Sequence, residues 1–238
     1  LSIMDFTIQE YKNRLHKVQQ SMQKKGIELL ISQDTANIYY LTGYDAWSFY
    51  YSQCVIIHVN ADEPICYVRA QDAGGALIKT YLKKENIVIY PEKYIHTWPN
   101  HPYDGLVELI KTKKWDKLNI GLEMDSHYFT AFCYEKLRQG LPNANLKDSE
   151  RLVNWVRCIK SETEITYMKN AAVISEKAMK TAMEVINPGV RQCDAVAEIQ
   201  SALFKGTKEY GGEYASITTL LPTGKGTSAS CLLYTSPS

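Results

Sequence analysis

At 238 residues the chain has room for one large or two medium domains. Its 45% hydrophobic and 22% charged residues give the balance of a soluble globular protein. Lys+Arg 27 against Asp+Glu 26, with no basic block, argues against nucleic acid and anionic membrane as partners, and no apolar run reaches the length of a bilayer span.

The chain opens on Leu1 to Thr7 without a basic-then-apolar signal pattern, and Met4 is a candidate natural start. The six cysteines (54, 66, 133, 158, 193, 231) are scattered, with no C-x-x-C pair and no zinc spacing. Scattered cysteines with apolar neighbours point to reduced thiols and a cytoplasmic setting.

Thr7 and Glu10 read as a capping box opening an amphipathic helix over residues 8–25, stopped by Gly26. Residues 27–32 are apolar enough for a buried strand. Asp34 suits the cap of a helix through Leu41, and Gly43 its left-handed stop. The next stretch holds five aromatic residues, Tyr44, Trp47, Phe49, Tyr50 and Tyr51. So many rings beside a strand make either a buried corner or the wall of a ligand pocket. Trp47 and Tyr51 are the rings expected to face a ligand.

Strands follow at 54–59 and 65–69, a helix at 71–83, a strand at 87–90, a helix at 103–113, a strand at 118–122, a helix at 127–138 and a short strand near Leu146. This alternation predicts an α/β domain with helices packed on a mixed sheet. A second capping box, Ser161 to Glu164, opens a helix over 162–185 that ends at the turn Asn187-Pro188-Gly189. A further helix over 191–204 and an alternating strand over 214–221 complete the pattern. The composition changes near residues 150–160, so the expected division is 1–155 for the first domain and 156–230 for the start of a second. Residues 231–238 continue no pattern and are expected to be a non-native tail.

The chemistry-bearing patterns are few. Lys225 is followed by Gly226 rather than Ser or Thr, so the run from Leu221 to Ser228 is not a phosphate loop. The five histidines form no H-E-x-x-H site, and G-x-S-x-G is absent. Arg69-Ala-Gln-Asp72 lies at a strand end, where an arginine can grip a carboxylate with two parallel hydrogen bonds or serve only as a surface cation beside a capping Asp72. Glu123-x-Asp125 also follows a strand; such carboxylates are catalytic candidates, but more often cap the next helix.

Several runs together resemble the creatinase/prolidase family with its pita-bread fold, and within it the ectoine hydrolases. They are Asn37 to Tyr51, Arg69 to Asp72, Gly121 to Asp125, Leu152 to Trp155, Lys160 to Met168, and Gly211 to Tyr214 followed by Leu220 to Gly224. The Asn37 to Gly43 and Lys160 to Ile165 patterns are general to the family; the runs Gly43 to Tyr50, Arg69 to Asp72 and Gly211 to Tyr214 look specific to ectoine hydrolases. The resemblance implies a creatinase-like N-terminal domain, then the start of a pita-bread α+β catalytic domain. It implies a homodimer in which one subunit's N-terminal domain caps its partner's active site. The implied substrate is a small zwitterion, ectoine, a cyclic amidinium bearing a carboxylate. The implied reaction is hydrolytic opening of the amidine to an N-acetylated diaminobutyrate.

On that basis the candidate substrate-binding residues are Trp47, Tyr51, Arg69 and Gln71, with Arg69 on the carboxylate and Trp47 facing the amidinium. No catalytic residue, metal ligand or cofactor is assigned. The family's catalytic histidine is expected just after Ser230, where Cys231 stands, and the metal-binding groups of prolidases lie further on. The chain as given is therefore expected to be inactive by itself. A creatinase, a proline-specific dipeptidase or a non-catalytic binding module are the alternatives.

Overall fold

The computed structural model describes residues 4–45, 47–212 and 217–228. They fall into two compact units, residues 1–159 and 160–238.

The first unit is built on a six-stranded sheet. Helix α1 (Ile8–Lys24) begins where the Thr7 side chain accepts from Glu10 N. It ends in a left-handed Gly26, φ +61°, with Ile27 N bonded back to Met22 O at 2.9 Å, the closing bond of a Schellman turn. Strand β1 (Leu29–Ser32) leads to α2 (Thr35–Thr42), capped by Asp34. The aromatic stretch follows, then β2 (Cys54–His58) and β3 (Ile65–Arg69). A 3-10 turn at Ala70–Asp72 enters α3 (Ala73–Lys79), followed by β4 (Ile87–Tyr90) and α4 (Pro102–Thr112). Then come β5 (Asn119–Leu122), α5 (Ala131–Gly140), β6 (Asn145–Asp148) and α6 (Leu152–Cys158).

The strand order is β4-β3-β2-β1-β5-β6. The pairs β3–β4, β1–β5 and β5–β6 are parallel, and β2 is antiparallel to both neighbours. Hence β1, β3, β4, β5 and β6 all end at one edge of the sheet, and β2 begins there. Side chains alternate across a strand, and both faces are covered. Leu30, Val55, Ile57 and Val68 pack with Leu15, Val18, Leu41 and Leu152 on one side. Leu29, Ile31, Ile56 and Ile120 pack with Tyr103, Leu106, Ile110 and Leu137 on the other. The fold is the mixed α/β sheet with flanking helices that the strand–helix alternation predicts.

Three expected elements differ. The helix read over 71–83 is only seven residues long: it contains Gly74 and Gly75, which lower helical stability, and stops at an extended Thr80. The helix read from 127 starts at Ala131, because Thr130 supplies the cap to Cys133 N and turns occupy 123–129. The strand read over 214–221 is not formed at its described residues, 217–221.

The second unit contains α7 (Glu162–Val185), with the Ser161–Glu164 capping box in place, and α8 (Gln192–Lys205). They pack through Ala178, Ile199 and Ala202, with Ala182, Val185 and Leu203 alongside. Larger side chains such as Met179, Met183 and Phe204 are exposed. The Glu213–Tyr214 end of the Gly211 run, Cys231 and the tail 231–238 lie outside the described residues. No helix among the described residues is long and apolar enough to cross a membrane.

Candidate functional site

In open α/β sheets, ligands bind outside the carboxyl ends of the strands, where the strand order reverses. Here the chain adds β2, β3 and β4 on one side of β1, then β5 and β6 on the other. The reversal lies between β1 and β5, and a carboxylate of the chain itself sits there. Glu123, one residue past β5, is 5% exposed. It accepts from Ser32 Oγ (2.7 Å), Gln33 N (2.7 Å), Asp34 N (2.9 Å) and Asn37 Nδ2 (2.6 Å). Burial pushes its carboxyl above the usual range, while these four donors pull it back. Asn37 also donates to Asn154 Oδ1 (2.9 Å) and accepts from Arg157 Nη1 (2.6 Å). Glu123 thus ties β1, α2, β5 and α6 together. It does not cap the helix that follows it, as strand-end carboxylates commonly do, and Asp125 pairs instead with Arg151. The cleft beside Glu123, about 160 Å³, is lined by Asp34, Asp125, His127, Asp148, Arg151 and Asn154.

The other half of the same edge is aromatic. Gly43 at φ +82° stops α2, and a Cβ there would stand 2.7 Å from Tyr11 Oη and 3.0 Å from Lys79 O. Only glycine makes this exit without strain. Tyr44 is then buried, its hydroxyl against Gln53 Oε1 and Asp72 O. The remaining rings run outward in series. Trp47 meets Phe49 edge-on (5.5 Å), Phe49 meets Tyr50 (5.6 Å), and Tyr50 tilts against Tyr51 (4.7 Å). Trp47 and Tyr50 are 64% and 63% exposed. Tyr50 and Tyr51 form one wall of a groove of about 430 Å³, with Tyr94, His96, Trp98 and His101 among its other lining residues. Trp98 is stacked on Phe132 at 5.0 Å. His101 caps α4 by accepting from Tyr103 N through Nδ1 (3.2 Å), and its own N–H donates to Asp104 (2.8 Å). Burial holds its imidazole below the usual pKa.

Arg69, the last residue of β3, lies over the Tyr51 ring, Cζ to centroid 4.0 Å. Its Nε reaches both oxygens of Glu92 at 3.0 Å, and its Nη2 reaches Oε2 at 2.7 Å. Each partner favours the charged form of the other: the Glu92 carboxyl is lowered and the Arg69 guanidinium raised, first through these hydrogen bonds. Gln71 contributes its backbone, N to Glu92 Oε1 at 3.3 Å, and its side chain is exposed. Arg69 and the Gln71 backbone therefore meet at Glu92, Tyr51 lies against the Arg69 plane, and Trp47 stands at the far end of the ring series. Sequence reasoning missed Glu92, which sits in a turn after β4 with no motif around it; register is the signal that finds it. Arg69 pairs with Tyr90 across the parallel β3–β4 ladder, which places residue 92 beside the Arg69 side chain.

A family model of the creatinase/prolidase N-terminal domain matches residues 14–159. The chain belongs to the creatinase/prolidase family. Within this family it is 43% identical over 89% of its length to the uncharacterized hydrolase/peptidase y4tM of Sinorhizobium fredii, covering 54% of that protein. It is 40% identical over 95% of its length to the ectoine hydrolase of Halomonas elongata, covering 58% of it. Among solved structures, a prolidase from Thermococcus sibiricus superposes with a TM-score of 0.69 at 20% identity, over 87% of this chain and 52% of that one; at that identity the likeness is one of fold. The chain spans about half the length of the curated relatives it matches.

Proposed function

We propose that this chain is the recognition half of a cytoplasmic, homodimeric hydrolase that opens the cyclic amidine of ectoine. The observation that carries this reading is the 40% identity to an ectoine hydrolase across 95% of the chain, a span that includes the whole aromatic and Arg69 rim. The rim suits a zwitterion. Arg69 holds a guanidinium for the carboxylate, and the exposed rings beside it, Tyr50 first and Trp47 further along the series, offer faces for the amidinium through cation–π attraction.

Hydrolysis adds water across the amidine carbon and breaks one of its two C–N bonds, leaving an acetylated amine and a free amine. In this reading residues 1–159 bind and orient the substrate. The groups that activate water are assigned, in this reading, to the part of the fold that the relatives carry beyond the span matched here.

Calorimetric titration of the 238-residue chain with ectoine tests the proposal. Binding is expected, and Arg69→Ala should weaken it by at least about tenfold, the size of a lost charge-assisted hydrogen bond. Absence of ectoine binding, or an unchanged Arg69→Ala, rejects the reading. An Xaa-Pro dipeptide that binds where ectoine does not would replace it with a proline-specific peptidase.

A further inference from the structure

An arginine in a recognition site is useful only if its guanidinium is already where the ligand needs it. A free arginine side chain has many rotamers, and fixing one on binding opposes affinity. Arg69 is fixed on two sides, and one of them is itself braced. Tyr51 lies under its plane, Glu92 closes the Nε–Nη2 edge, and Gln71 N holds Glu92 from behind.

A guanidinium carries five N–H donors. Glu92 engages Nε–H and one N–H of Nη2. The opposite edge, Nη1 with the second N–H of Nη2, makes no hydrogen bond to any described residue. That edge has the parallel donor pair a second carboxylate requires. Asp72, which shares the Arg69 run, does not compete for it: its Oδ2 is buried with no hydrogen-bond partner among the described residues.

We propose that Glu92 is a positioning residue for the substrate carboxylate, holding Arg69 by one edge so that the other edge receives the ligand. The inference rests on the function proposed above, and it opposes the simplest electrostatic expectation. A carboxylate beside Arg69 cancels its charge, so charge alone predicts that removing Glu92 strengthens anion binding. The Glu92 side chain is 48% exposed against 13% for Arg69. Water and salt screen the repulsion between Glu92 and a more distant ligand carboxylate most strongly, whereas its hydrogen bonds to the guanidinium act in direct contact, at 2.7 to 3.0 Å, and fix direction as well as charge. Fixing the donor therefore outweighs cancelling its charge.

The test is a titration of the full chain and three variants, Glu92→Gln, Arg69→Ala and the double variant. The probes are ectoine and 2-methyl-1,4,5,6-tetrahydropyrimidine, the same cyclic amidine without a carboxylate. Glu92→Gln should weaken ectoine roughly tenfold, leave the carboxylate-free amidine unchanged, and add nothing further once Arg69 is alanine. In wild type the Arg69 Nε–H should give a protected NMR signal that Glu92→Gln loses. Tighter or equal ectoine binding by Glu92→Gln, or equal weakening of both probes, overturns the proposal. If wild type fails to bind ectoine, the function proposed above falls separately. Acetate titrated against the Arg69 guanidinium signals then decides Glu92, which must still weaken acetate binding when replaced.

Discussion

Two glutamates stand at the same edge of one sheet and do opposite things. Glu123 is 5% exposed and accepts from four donors, two of them peptide N–H groups of the β1–α2 corner. Its hydrogen-bonding capacity is filled by the chain itself. Glu92 is half exposed and engages one cation that keeps an edge open. The first is spent on the fold beside the crevice where a ligand would enter a doubly wound sheet, and the second leaves one edge of its guanidinium partner without a hydrogen bond among the described residues. Position at the edge does not separate fold from recognition; the difference lies in how many partners are already satisfied.

The same comparison sorts the motifs that carry the family likeness. Asn37 and Asn154 belong to the Glu123 network, so these two positions serve the fold. Trp47, Phe49, Tyr50, Tyr51, Arg69 and Gln71 belong to the rim, which is where a substrate-specific pattern should concentrate.

The contrast is broken most severely at Glu123. Glu123→Ala strands four donors, each costing about 1–3 kcal/mol when buried and unmet. The expected loss is about 3–5 kcal/mol in urea unfolding, after relaxation and non-additivity. A loss near zero would mean that this corner is not held by its carboxylate. Gly43→Ala comes next, because α2 joins the two regions and ends there. A left-handed alanine with its Cβ 2.7 Å from Tyr11 Oη should cost about 2 kcal/mol. It should also disturb the near-ultraviolet signal of the rim rings, and an unchanged spectrum and midpoint would contradict the strain described at Gly43.

The smallest expected effect sharpens the rim side. His101 caps α4 as a neutral ring, and its folded pKa is below the unfolded one. Between the two values the unfolded chain binds the extra proton, so stability falls as pH drops below about 6.5. His101→Asn keeps a capping acceptor and should flatten that slope. A slope that survives the substitution assigns it to another group.

What the sequence made readable was local. The caps at Thr7, Asp34 and Ser161, the helix stops at Gly26 and Gly43, and the apolar strands read over 27–32 and 54–59 each depend on neighbours within a few residues. Glu123 was readable as a strand-end carboxylate but not as the anchor of residues 32–37, because its partners lie 86 to 91 positions away. Glu92 escaped for the same reason, 23 residues from Arg69. His101 escaped because histidine is an uncommon cap, and the short α3 because its two glycines weaken a pattern that periodicity alone extends.

The lone reversed strand, β2, has a consequence for how such a surface can change. Were β2 parallel to its neighbours, the aromatic segment entering it would arrive at the opposite edge, away from Arg69 and Glu92. Its reversal delivers the connection before β2 and those after β3 and β4 to one place. Three separate stretches of chain thus compose a single face, each anchored by its own strand. Residues in one can be exchanged without moving the others or shifting any strand's register, so this edge can be retuned toward a new small molecule piece by piece while the layers beneath stay as they are.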